Sequence, residues 1–183
     1  MEGLIEFFHL VGKLKATKRA GWLNHDIKNP ESVADHSYRT AVLAMIFAKR
    51  IGADELKLIK MALLHDVADS VTGDIITERG NNVVYSRGKK LEQQKEAMEK
   101  ILSNLKQEEH KELLNLWLEF EEGKSKEATI ARQLDKLEMA LQTFEYEQAD
   151  HSKNLEEFWI VAEKYIKEDS LKSFLGQLSR REK

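Results

Sequence analysis

Residues 61–69 read Met61-Ala-Leu-Leu-His-Asp-Val-Ala-Asp69, and this short run sets both the fold problem and the chemical one. Four apolar residues lead directly into His65 and Asp66, and Asp69 follows after Val67 and Ala68. Apolar residues at this density predict a helix packed into a core. A carboxylate taken into a core without a partner is costly, so a cation or hydrogen-bond donors must come from elsewhere in the chain.

The bulk composition narrows what that partner can be. The 183 residues fit one compact domain with a real core, and a hydrophobic fraction of 42% is ordinary for a globular protein. A net charge of -3 argues against a non-specific nucleic-acid coat. No run of 18 apolar residues occurs, which excludes a membrane-spanning helix. The start MEGLIEFFHLVGKL has neither a basic n-region nor a small-residue cleavage site. We therefore expect a cytoplasmic, one-domain protein covering residues 1–183. With no cysteine, any metal must be held by histidines and carboxylates.

Helical periodicity runs through almost the whole chain, while strand alternation is hard to find. A first helix is predicted over residues 2–14, followed by the irregular passage KATKRAGWLNHDIKNPE. Pro30 and the capping box Ser32-x-x-Asp35 then open a second helix that runs to about Ile51. Its middle, AVLAMIFA, is apolar all round and predicts a helix buried on every side. Gly52 ends it, and Asp54 begins the helix carrying MALLHDVAD. Residues 70–88 hold turn formers and read as a loop. Further helices are predicted at about 89–105, 108–122, 126–149, 155–168 and 170–180. In the helix from Lys126, Ile130, Leu134, Leu137, Leu141 and Phe144 form one apolar stripe. Ala128, Ala131 and Met139 lie opposite, so that helix packs on two sides and takes Asp135 inside with it. The expected architecture is all-α, a compact bundle of six to eight helices.

Three central helices thus carry groups of metal-ligand type into apolar surroundings: His36, then His65 and Asp66, then Asp135. Two imidazoles and two carboxylates suit one divalent transition metal ion, Zn, Mn, Fe, Co or Ni, and leave positions open for water. A hydrogen-bonded core pair is the simpler account of His65–Asp66 taken alone; recurrence on three helices favours the metal. His25–Asp26 and Asp150–His151 lie in polar stretches, and His9 and His110 on ordinary helices, so these four histidines are read as structural or solvated.

The order His…His-Asp…Asp resembles the signature of the HD-domain metal-dependent phosphohydrolases. The blocks NPESVADHSYR, ALLHDVADSVTGDI and RQLDKLEMALQTFEYE, with the Trp of KRAGWL, are similar to those of the 5′-deoxynucleotidase branch. The resemblance covers roughly residues 1–165. It implies His36, His65, Asp66 and Asp135 as metal ligands. It also implies a proton-handling role at Asp69, where the branch has Glu, and a substrate and leaving-group contact at Asp74. Trp22 matches the aromatic that lies near the sugar and disfavours a 2′-hydroxyl. The branch has Arg directly before this Trp; here Gly21 stands there, and Arg19 is the candidate for the phosphate. Lys89 and Lys90 are weaker phosphate candidates, and Glu138 is left open between a supporting role and a surface charge.

The activity implied is hydrolysis of (deoxy)nucleoside 5′-monophosphates to nucleoside and phosphate, by a homodimer like its relatives, with no nucleic-acid or membrane partner. Two other readings stay open. One is a phosphodiesterase or pyrophosphohydrolase acting on cyclic or alarmone nucleotides. The segment between Asp66 and Asp135 offers only His110 as a further histidine, which argues against the dinuclear site such enzymes often use. The other is a non-catalytic, metal-stabilised nucleotide-binding module, which the Asp at position 69 favours.

Overall fold

Ser32 opens the helix that carries the first histidine, and it does so through a complete capping box. Its hydroxyl accepts from the Asp35 backbone N–H, while the Asp35 carboxylate accepts from the Ser32 N–H. Such a cap is worth about 1 kcal/mol. In the computed structural model, which describes residues 1–182, this helix is α3 (Val33–Ile51). Before it come α1 (Glu2–Gly12), a single tight turn over Lys13–Lys15 and the short α2 (Ala20–Leu23). After it come α4 (Glu55–Leu64), the one-turn α5 (Asp69–Thr72), α6 (Arg87–Leu102), α7 (Gln107–Glu122), α8 (Lys126–Ala149), α9 (Glu156–Tyr165) and α10 (Asp169–Leu178). The fold is an all-α bundle, as expected. Lys183 lies outside the described residues.

Three local expectations need correction. The helix of MALLHDVAD does not run through to Asp69. It ends at Leu64, where the bonding changes from His65 N–H to Met61 O, four residues back, to Val67 N–H to Leu64 O and Asp69 N–H to Asp66 O, three back. The His65 carbonyl released at the change accepts from the Trp117 indole at 3.1 Å. Second, residues 70–88 are not all loop. They contain most of α5 and a small antiparallel hairpin, β1 (Glu78–Arg79) and β2 (Asn82–Val83), turning at Gly80 with φ +57°.

Third, α3 is not buried all round. Its inward face is His36, Ser37, Thr40, Ala41, Ala44, Phe47 and Ala48, of which Ser37, Ala41, Ala44 and Ala48 are small and let α4 and α8 approach. Tyr38, Val42, Met45 and Ile46 face outward, between 37% and 69% exposed.

The core has two parts. One lies among α3, α4, α8, α9 and α10 around Phe47, Leu58, Leu134 and Leu171; the other lies under α1, α6 and α7 around Leu10, Met98, Ile101 and Trp117. Leu64, Val67 and Ala68, which flank the break after α4, belong to the second part, while Leu58, Met61 and Ala62 belong to the first. The break therefore sits on the seam between them, and His65 and Asp66 are held from both sides.

Candidate metal centre and cleft

His36 reaches the seam from α3, His65 and Asp66 from the break after α4, and Asp135 from the middle of α8. Each is at most 9% exposed. The His36 Nε2 lies 3.3 Å from His65 Nε2, 3.2 Å from Asp135 Oδ1 and 3.8 Å from Asp66 Oδ2. The His65 Nε2 lies 3.2 Å from Asp66 Oδ2. His36, His65 and Asp66 form a group able to hold a metal ion.

Both imidazoles are committed at their other nitrogen. His65 Nδ1 donates to the Ala62 carbonyl at 2.8 Å, and His36 Nδ1 donates to Glu138. Both Nε2 atoms are then left with lone pairs facing each other beside two carboxylates, a donor set that fits a borderline divalent cation. The electrostatics agree. Burial and the Arg19 charge oppose protonation of His36, yet Glu138 and Asp135 raise its pKa to about 10. Burial likewise opposes ionisation of Asp66, but His65, Arg19 and His36 hold it well below the usual carboxylate range. Without a metal, a proton answers the centre's demand for positive charge.

Glu138, left open from sequence, is fully buried and binds His36 on one oxygen and Arg39 Nε on the other at 2.8 Å. Arg39 extends outward to Glu145 and Gln142, each at 2.7 Å. The signal was present in the spacing: Glu138 follows Asp135 by three residues and Arg39 follows His36 by three, one helical turn in each case.

A cleft of about 240 Å³ opens over this cluster, and His65, Asp66 and Asp135 line its floor. Arg19, in the extended residue before α2, enters it and pairs with Asp66 at 3.1 Å and Asp74 at 3.6 Å. Asp74 accepts from the Ala20 N–H at 2.7 Å, so it anchors the segment that carries Arg19. Trp22 combines both of its sequence readings. It is 1% exposed, packs on Phe158 and Tyr146 and donates to Glu31 at 2.9 Å, yet it also lines the cleft.

Asp69 is 1% exposed, which excludes the solvated helix-end carboxylate, but it lies behind the cleft wall. Its Oδ1 accepts from Gln94 at 2.8 Å, and its Oδ2 has no partner. Burial, then Asp66 and Asp74, push its carboxyl up to about 8. Lys90 lines the cleft and donates to the Ile75 carbonyl at 2.9 Å; Lys89 is exposed outside it. Sequence reasoning missed Arg79, Arg87, Gln94, Arg132 and Lys136 in the cleft lining, since no local pattern marks them. Of the histidines set aside, His25 binds Glu157 at 2.8 Å and His110 binds Glu99 at 2.9 Å.

An all-helical bundle whose central helices bring together His, His-Asp and Asp at the floor of a cleft defines an HD domain, and the chain belongs to the HD-domain family, matching it over residues 11–174. It is 40% identical over 158 residues to the 5′-deoxynucleotidase HDDC2 of Dictyostelium discoideum, covering 82% of this chain and 81% of that one. It is 40% identical over 149 residues to the human 5′-deoxynucleotidase HDDC2, covering 81% of this chain and 70% of that one. Among solved structures it resembles the PH0347 protein of Pyrococcus horikoshii OT3, with a TM-score of 0.77 and 34% identity over 96% of this chain and 98% of that one.

Proposed function

We propose that this HD-domain hydrolase is a metal-dependent 5′-deoxynucleotidase, cleaving deoxynucleoside 5′-monophosphates to nucleoside and inorganic phosphate. The observation that carries the reading is the meeting of His36, His65, Asp66 and Asp135 beside the Arg19 guanidinium at one cleft floor. Both 5′-deoxynucleotidase relatives given above carry that name, which supports the same substrate class here.

In this reading the four residues hold one divalent transition ion, of the group Co, Mn, Zn, Fe and Ni. Bound there, the ion would supply Lewis acidity, making water a nucleophile near neutral pH and drawing charge from a phosphoryl oxygen. Arg19 turns from Asp66 toward the phosphate and neutralises its remaining oxygens. Asp74 keeps the Arg19 segment in place and borders the leaving-group side. Asp69 holds a proton at neutral pH on a carboxyl whose Oδ2 has no protein partner, and relays it through water to the departing 5′-oxygen. Trp22 forms the wall that meets the sugar.

The reading includes a single domain over 1–183, a cytoplasmic setting and a homodimer without nucleic-acid or membrane partners. Among the described residues no helix is long and apolar enough to cross a membrane. The outward apolar stripe of α3 supports the dimer.

The test is phosphate release from deoxynucleoside and ribonucleoside 5′-monophosphates by metal-stripped protein reloaded with Co, Mn or Zn, with Asp66→Ala as control. Metal-dependent release abolished by the substitution is the expected result. Metal binding without release from any monophosphate would overturn the reading in favour of diester or alarmone substrates or a binding module.

A further inference from the structure

Six cations line the cleft: Arg19, Arg79, Arg87, Lys90, Arg132 and Lys136. Three of them are neutralised in place, Arg19 by Asp66 and Asp74, Arg79 by Glu157 at 3.2 Å and Lys136 by Asp135 at 2.9 Å. Arg87, Lys90 and Arg132 have no carboxylate within 4.0 Å among the described residues, and Lys90 is held instead by the Ile75 carbonyl. Arg132 is held by its Nη1 on the Phe120 and Glu121 carbonyls and lies 5.8 Å over the Phe120 ring, so its guanidinium is fixed. Glu121 shares this end of the cleft but forms no ion pair. Burial and the like charge of Arg87 lower the pKa of Arg132, against the opposing pull of Glu121 and Asp135.

Arg132 precedes Asp135 by three residues on α8. Arg132 therefore stands on the same wall as Asp135, about 4.5 Å along the helix axis from it, and Arg87 enters the cleft from the start of α6. Guanidinium pairs bind phosphate strongly because planar N–H forks match its oxygens. An uncharged base gives such a pair nothing to neutralise.

We propose that Arg87 and Arg132 form a second phosphate subsite, and that the preferred substrates carry a phosphate on the 3′-oxygen besides the one removed from the 5′-oxygen. The proposal rests on the nucleotidase reading: on a deoxynucleoside whose 5′-phosphate occupies the cleft floor, the 3′-oxygen is the other sugar oxygen open to esterification. The reaction is unchanged. Water oxygen bonds to the 5′-phosphorus, the bond from phosphorus to the 5′-oxygen breaks, and a proton passes to that oxygen. The products are inorganic phosphate and a nucleoside 3′-monophosphate.

The experiment compares kcat/KM for 2′-deoxyadenosine 3′,5′-bisphosphate, the 5′-diphosphate and the 5′-monophosphate, in the metal-loaded protein and its Arg87→Gln and Arg132→Gln variants. In parallel, calorimetry measures binding of 2′-deoxyadenosine 3′-monophosphate, which has no scissile 5′-phosphate. The expected preference for the bisphosphate over the monophosphate is about tenfold or more, the worth of one charge-assisted hydrogen bond. That ratio collapses toward one in either variant, and the 3′-monophosphate Kd rises to match. Arg132→Gln also removes bonds to the end of α7, so exposed Arg87 at the start of α6 is the deciding position if that variant fails to fold. A bisphosphate used no better than the monophosphate, or a preference for the diphosphate alone, overturns the subsite. If no nucleotide is hydrolysed but the 3′-monophosphate binds through Arg87, the subsite stands and the nucleotidase reading falls.

Discussion

His36 donates its Nδ1 proton to Glu138, and neither side chain touches solvent. Burial alone would push the Glu138 carboxyl up, yet His36 and Arg39 hold it below its ordinary value. A buried carboxylate that fixes the tautomer of a ligand and raises its basicity governs how tightly the metal is held. Glu138→Gln keeps the shape and removes the charge. We expect metal affinity to fall about 10- to 100-fold while phosphate release at saturating metal survives, as read by metal titration beside a turnover assay. Unchanged affinity would reduce Glu138 to a packing role.

Asp69→Asn separates stability from chemistry. The Asp69 carboxyl is raised in the folded protein to about 8, chiefly by burial, against about 4 when unfolded. The unfolded chain gives up this proton first, so the wild-type metal-free protein loses stability as pH rises from about 4 toward 8. Asn mimics the protonated acid and escapes that loss. In urea titrations the variant should gain on the wild type progressively from pH 5 to pH 8, and its turnover should fall about 10²-fold or more if the proton is used. Parallel stability curves would contradict the buried-acid assignment, and unchanged turnover would remove Asp69 from the reaction.

These two residues also mark how far the sequence could be read. The meeting of His36, His65, Asp66 and Asp135 was legible because they interrupt apolar periodicity, and buried charge in such runs demands a partner. That Asp69 turns behind the wall was not legible. It depends on the switch to three-residue bonding after Leu64, which Trp117, 52 residues later, helps to stabilise through the His65 carbonyl. The middle of α3 misled for a related reason. Hydrophobicity gives which residues avoid water, but Ala41, Ala44 and Ala48 face inward because close helix approach selects small side chains, which leaves Met45 and Ile46 outside. The cationic lining of the cleft comes from residues on the hairpin, α6 and α8, and only the tertiary fold brings them together.

Gly73 supplies a backbone test independent of side chains. It ends α5 at φ +73° and ψ 167°, a region essentially reserved for glycine, and a Cβ there would meet nothing within 4 Å. Gly73→Ala should therefore cost about 1–3 kcal/mol through the backbone alone. Because Asp74 follows and holds Ala20 and Arg19, the same change should raise KM for the monophosphate. Chemical denaturation and steady-state kinetics on one preparation read both effects, and a fully stable variant would show that the turn relaxes freely.

The outward face of α3 tests the proposed dimer. Tyr38, Val42, Met45 and Ile46 recur at helical spacing on one side, with Met45 and Ile46 each more than half exposed. Large apolar patches on a helix surface mark contact with another surface, and two copies of one stripe can pack about a twofold axis. Met45→Glu together with Ile46→Lys should convert a dimer to a monomer in sedimentation equilibrium. Neither residue supports the core or the metal centre, so the helical signal should be unchanged. A double variant that stays dimeric would place the interface elsewhere, and a monomeric wild type would remove the dimer from the proposed function.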